Sequence, residues 1–180
     1  VVVRDGKILS HDYTLFPVDK HVPEDPLIVD IIEEYSEALE IKYNTEQVIA
    51  YAEEKLTRYG SDGGDSMLGN FAAEAMRFYP GVETEIALTN TLGIRSDIPP
   101  GDITIDVLFN SMPFDNTITT MFLSGREIQE LLDYVAFRST ERGCSSQAQI
   151  AGIRFDMVCD PFNPRAENIF INGIALDMGG

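Results

Sequence analysis

With 180 residues the chain can bury a sizeable core without external staples, as one domain or a domain with an appendage. A formal net charge of −17 and a pI near 4.3 set nucleic acid and anionic membrane surfaces aside as partners, and require any anionic ligand to be met by a local cluster of cations. No apolar run approaches the ~20 residues of a bilayer crossing, so no membrane-spanning segment is expected.

In chain order, residues 1–18, VVVRDGKILSHDYTLFPV, alternate in the manner of strands around Asp5 and Gly6 and predict a hairpin. They lack the regions of a signal peptide and read as the middle of a strand pair, as if cut from something larger. Pro26, preceded by Glu24 and Asp25, opens an amphipathic helix carrying Ile28, Ile31, Ile32, Tyr35 and Leu39 at helical spacing, with the character of a connector between domains. The run 45–59 fits both helix and strand and is assigned to strand. Ser66 caps a predicted helix through MLGNFAAEAMRFY, with Met67, Leu68, Phe71, Ala72, Ala75 and Met76 on its buried side and Pro80-Gly81 ending it. Strands are expected at 84–90 (TEIALTN) and 116–123 (NTITTMFL). Ser124 and Glu127 form a capping box for a helix with Ile128, Leu131, Leu132 and Val135 on one face. IAGIRFDMVC and NIFINGIAL read as closing strands. The class is α+β, mixed sheets with packed helices, without repeats or low-complexity segments.

The chain contains no phosphate loop, GxGxxG, HExxH or GxSxG motif, and so no complete catalytic motif. SDGGDS (61–66) lacks the spaced oxygen donors of a calcium loop and reads as a turn. His11 and His21 cannot furnish a two-metal centre. Cys144 and Cys159 lack zinc-site spacing; a disulfide in an exported protein and a pair of buried thiols are the two readings. In LTNTLGIRSDIPPGDIT (88–104), Arg95 leaves a strand-like run and is braced by Pro99, Pro100 and Gly101. Alone it would tie loop carbonyls together; on a rigid loop, with Asn90 close behind, its planar guanidinium suits a phosphate or carboxylate. Phe114, in MPFDN, is a proline-braced ring of a kind that is either core or a stacking surface for a flat base, and Asn116 either bonds a base edge or caps the turn.

The series MLGNFAAEAMR, LTNTLGIRSDIPPGDIT, MPFDNTITTMFLSGREIQELLD and SSQAQIAGIRF resembles the C-terminal domain of the 5′-nucleotidase family, with its LGN, N-x-G-G-I-R, G-x-I-T, P-F-x-N, L-x-G and Q-x-S-G motifs. The resemblance divides the chain into a terminal hairpin of a metallophosphoesterase domain (1–22), a linker helix (23–44) and a substrate-binding domain, incomplete at its C-terminus (45–180). It implies that Arg95, Asn90 and Arg58 bind substrate phosphate, and that Phe114 and Asn116 bind the nucleobase. Catalytic residues and two divalent metal ions are then expected in the N-terminal metallophosphoesterase domain, with none in this chain. The implied function is substrate recognition for a periplasmic, cell-surface or secreted phosphohydrolase that cleaves nucleoside 5′-monophosphates to nucleoside and phosphate, with a nucleoside monophosphate or nucleoside as ligand. A non-catalytic nucleotide-binding or interaction module, and a relative acting on UDP-sugars or 2′,3′-cyclic nucleotides, are the alternatives. Leu92 departs from the motif's glycine pair, Asp62 stands where a further arginine is expected, and the second stacking aromatic lies past ALDMGG.

Overall fold

The structure, a computed structural model, describes residues 1–179 and divides into two compact units, Val1–Tyr43 and the chain from Asn44 onward. In the first unit, β1 (Val2–Arg4) pairs antiparallel with β2 (Lys7–Ser10). Asp5 and Gly6 both take positive φ, 52° and 72°, as a two-residue hairpin turn of matching twist demands. The hairpin is shorter than the alternation over 1–18 suggested. Past Ser10 none of the described strands offers a partner, and Pro17 has no N–H to give a ladder. Helix α1 (Pro26–Tyr43) starts where the sequence places it: Pro26 needs no hydrogen-bond acceptor in the first turn, and the Asp25 carboxylate accepts from the Leu27 N–H at 2.9 Å.

The second unit holds three small sheets. Strand β3 (Val48–Ala52) pairs antiparallel with β5 (Gly101–Thr104), β4 (Ala87–Asn90) with β6 (Ala148–Ala151), and β7 (Ile153–Val158), β8 (Arg165–Ile171) and β9 (Ile174–Ala175) form an antiparallel meander. Helix α2 (Met67–Arg77) packs on the β4–β6 pair, α3 (Ile105–Ser111) follows β5, and α4 (Gly125–Thr140) covers the meander. Both capping residues act as expected: Ser66 Oγ accepts from Gly69 N at 2.9 Å, and Ser124 and Glu127 complete a reciprocal capping box.

Two further expectations are corrected. The segment 116–123 forms no strand, because a β-branched run gains ladder bonds only from a neighbour, and none of the described strands pairs with it. The buried face of α2 is also turned from the expected one: Leu68, Gly69 and Ala73 are buried, whereas Met67, Phe71 and Ala75 face solvent. The cause is close approach. Small residues let α2 settle against Ala87 and Ala151 of the sheet, and a Cβ at Gly69 would occupy the space of the Gln149 side chain. The short elements β5 and α3 go beyond the elements expected from sequence; Thr104 caps α3 by accepting from Val107 N at 3.2 Å.

Three apolar clusters hold the unit together. Ile128, Leu132, Ala166 and Ile169 join α4 to the meander, and Ala73, Ala87 and Ala151 join α2 to the β4–β6 pair. The third, Ala52, Leu68, Ile94, Ile98 and Ile103, lies directly behind the Arg95 loop.

Candidate functional site

Arg95 lies between two anchors, Ile94 and Ile98, which are 3% and 1% exposed in the third cluster. With both neighbours drawn inward, the arginine side chain is left outside. The backbone is fixed on each side: Arg95 N–H donates to the Ser111 carbonyl at 2.7 Å, and Ile98 and Leu56 exchange backbone bonds of 3.0 and 2.9 Å. Ser111 Oγ donates to the Ser96 carbonyl at 3.0 Å. Asp97 receives the Lys55 ammonium at 2.7 Å and the Arg58 N–H at 2.9 Å. The hydrogen bond from Lys55, and then that from the Arg58 backbone, hold the Asp97 carboxyl below the usual carboxylate range. Downstream, Gly101 has φ +115°, a conformation that explains a glycine immediately after Pro99-Pro100.

The guanidinium itself makes one contact, Arg95 Nη1 donating to the Leu92 carbonyl at 3.3 Å, and enters no ion pair among the described residues. Its remaining donors are available to a ligand. Arg58 joins it, donating through Nη1 to the Arg95 carbonyl while its guanidinium stacks 4.6 Å over the Tyr59 ring. In this arrangement Arg58 positions the Arg95 backbone. Asn90 precedes the 3₁₀ turn Thr91–Gly93, and its amide lies across Gly93, whose Cβ, if present, would come 3.1 Å from Asn90 Oδ1. A side chain at position 93 would therefore push Asn90 away. Leu92, the departure from the glycine-rich pattern, is not among the residues of positive φ, so the turn accepts it without strain.

Phe114 and Asn116 come three and five residues after Ser111, the residue that holds Arg95, so the cationic loop and the aromatic segment start from one junction. Phe114 is 53% exposed, and Asn116, also exposed, donates its N–H to the Phe114 carbonyl at 2.9 Å. Asp62 turns back on its own loop and accepts from Gly64 N at 3.1 Å. Cys144 and Cys159 are joined in a disulfide with Cα atoms 5.7 Å apart. No grouping of three His, Cys, Asp or Glu side chains that could hold a metal ion occurs among the described residues.

Gln149, the glutamine of the QIAG stretch that carries part of the family resemblance, has no role in the expectations drawn from sequence. It is 0% exposed and connects the pieces of the site. Its Oε1 accepts from Ser66 N at 2.8 Å and from Ser66 Oγ at 3.3 Å, and its Nε2 donates to Thr91 Oγ1 at 3.1 Å. One amide thus ties the cap of α2 to the turn before Arg95. The available signal was a glutamine in an otherwise apolar strand, a residue type that enters a core only when fully bonded.

This mixed α and β domain, with an exposed arginine on a braced turn, matches the family model described as 5′-nucleotidase, C-terminal domain, over residues 46–179. The chain belongs to that family. It is 32% identical over 159 residues to the trifunctional nucleotide phosphoesterase protein YfkN of Bacillus subtilis strain 168, covering 86% of this chain and 10% of that protein. It is 25% identical over 198 residues to a 5′-nucleotidase of Vibrio vulnificus strain CMCP6, covering 97% of this chain and 33% of that protein. The 5′-nucleotidase precursor from Thermus thermophilus superimposes with a TM-score of 0.71 at 26% identity, covering 87% of this chain and 32% of that one. The chain therefore spans at most about a third of these relatives.

Proposed function

We propose that this chain is the substrate-recognition part of an exported phosphohydrolase that cleaves nucleoside 5′-monophosphates to nucleoside and phosphate. The observation that carries the reading is the exposed, ion-pair-free guanidinium of Arg95 on a turn braced from both sides, in a chain whose charge is otherwise strongly negative. Arg95 holds the phosphate by charge-assisted hydrogen bonds, with Asn90 beside it and Arg58 fixing its backbone. Phe114 stacks on the base and Asn116 bonds its edge. Grip on the base, remote from the reacting group, then orients the phosphate for attack.

Two divalent ions in a metallophosphoesterase domain supply the activated water and stabilise charge on the phosphoryl group. The residues described here do not fit such a centre, so no chemical step is assigned to them. The share of each relative that the chain covers supports a further domain in the whole protein. The Cys144–Cys159 disulfide supports an oxidising location, periplasmic, cell-surface or secreted.

Calorimetric titration of the chain with AMP and with adenosine tests the reading. Arg95→Ala should weaken AMP at least tenfold, the loss expected for a charge-assisted contact, and leave adenosine unchanged. Equal AMP affinity in wild type and variant would remove the nucleotide reading.

A further inference from the structure

A phosphoryl group carries several acceptor oxygens and is seldom held by one arginine. Beside the Arg95 turn lies a cleft of about 270 Å³ lined by Tyr59, Thr91, Leu92, Arg142, Ser145 and Gln147. Two of its walls are attached to the cations already described: Leu92 accepts from Arg95 at 3.3 Å, and the Tyr59 ring carries the Arg58 guanidinium at 4.6 Å. Arg142 lines the cleft directly. Its guanidinium has no hydrogen bond or ion pair among the described residues, although the chain carries 30 acidic residues against 13 basic ones. The adjacent acid is occupied, Glu141 pairing with Arg138 at 3.2 Å, and Asp62, beside the Gly63 carbonyl that accepts from Ser146 N, caps Gly64 at 3.1 Å. The Ser145 hydroxyl is likewise without a partner among the described residues, while Ser145 O accepts from Gln147 Nε2 at 2.8 Å.

The loop presenting these groups is held firmly. Arg142 N and Cys144 N both donate to the Ser139 carbonyl, at 3.0 and 2.9 Å, and Ser146 N donates to the Gly63 carbonyl at 2.6 Å. Between them, the disulfide ties Cys144 to Cys159 at the end of β7. With the loop backbone already fixed, only the Arg142 side chain has to be ordered when a ligand binds. The cleft is smaller than the ~300–1,000 Å³ of whole-ligand pockets and suits one end of a nucleotide.

We propose that this cleft receives the phosphoryl end of the substrate, and that Arg142 and Ser145 are direct phosphate ligands alongside Arg95. The inference rests on the nucleotide reading above, and the experiment separates the two. Titrate wild-type chain, Arg142→Gln, Ser145→Ala and Arg95→Ala with AMP, inorganic phosphate and adenosine, following thermal unfolding of each variant as a control for folding. Arg142→Gln should weaken AMP and phosphate about tenfold, Ser145→Ala about threefold, with adenosine unaltered and melting temperatures close to wild type. If Arg95→Ala weakens AMP while Arg142→Gln does not, the inference falls and the nucleotide reading stands. If Arg142→Gln weakens adenosine as much as AMP, the cleft is not a phosphate site and the inference also falls. If neither arginine variant changes AMP affinity, or wild type binds no AMP, both fail.

Discussion

The cationic end and the aromatic end of the candidate site are built in opposite ways. Around Arg95, backbone groups of Arg95, Ser96 and Ile98 are met by partners on other segments, the Ile94 N–H closes its own turn on the Thr91 carbonyl, and the anchors behind are buried. Around Phe114, the chain from residue 113 to 122 is exposed, forms no strand, and belongs to none of the buried clusters. A charge-assisted contact needs a fixed direction, because guanidinium bonds weaken steeply with misalignment, and the scaffold supplies that direction. A stacking ring tolerates sliding and needs only an apolar face. The difference predicts that substitutions in the scaffold of the cationic end disturb fold and ligand together, whereas those at the aromatic end disturb the ligand alone.

The hardest test of that contrast is Gln149→Ala. It removes three hydrogen bonds, leaves the Ser66 N–H buried without an acceptor, and opens a cavity against Gly69. A loss of about 3 kcal/mol in urea-induced unfolding is expected from the lost bonds and the void. AMP binding should suffer as well, since the Thr91 turn loses its tether. A variant that unfolds at wild-type urea concentration would show that the cationic end is not built on this amide.

Gln149 also shows where sequence reading stops. The capping residues Ser66 and Ser124 were legible because a cap bonds within its own first turn, three residues away along the chain. Likewise Pro26, Asp5 and Gly6 act locally. Gln149, by contrast, works across 83 residues to Ser66 and 58 to Thr91, and no local pattern encodes such a distance. The strand expected at 116–123 failed for the same reason, since β propensity reports what a segment can do and not whether a neighbour is there. On α2, periodicity marked an amphipathic helix, but the choice of face was made by small residues that permit close packing, and hydrophobicity favoured Met67 and Phe71 instead. Arg95 and Phe114 were recognised through motif order, and their exposure emerged only from the fold.

A middle-sized effect is expected at Asp97→Asn, which weakens the Lys55 contact and the acceptor for Arg58 N. With the pair partly exposed, about 1 kcal/mol of stability is at stake near neutral pH. The sign with pH follows from the depressed carboxyl. Its contribution is present above the ordinary aspartate value of ~3.9 and is lost as pH falls through the lower value of the folded state. Unfolding free energies of wild type and Asp97→Asn should therefore differ at pH 7 and converge on acidification below about pH 4. A gap that stays constant down to about pH 3 would mean that the carboxylate's charge does not brace the loop.

The smallest effect on the fold belongs to Phe114→Ala. The ring is half exposed and outside all three clusters, so unfolding free energy should stay within about 0.5 kcal/mol of wild type, as for other surface positions. Loss of stacking, about 1 kcal/mol, should nevertheless weaken AMP and adenosine equally, by roughly fivefold, and leave inorganic phosphate untouched. That pattern is the mirror image of the one expected for Arg95→Ala, which spares adenosine. If Phe114→Ala instead lowers stability and spares both AMP and adenosine binding, the ring is part of the packing. The two ends of the site would then not be divided between a fixed cation and a free aromatic surface, and base recognition would have to be sought elsewhere on the domain.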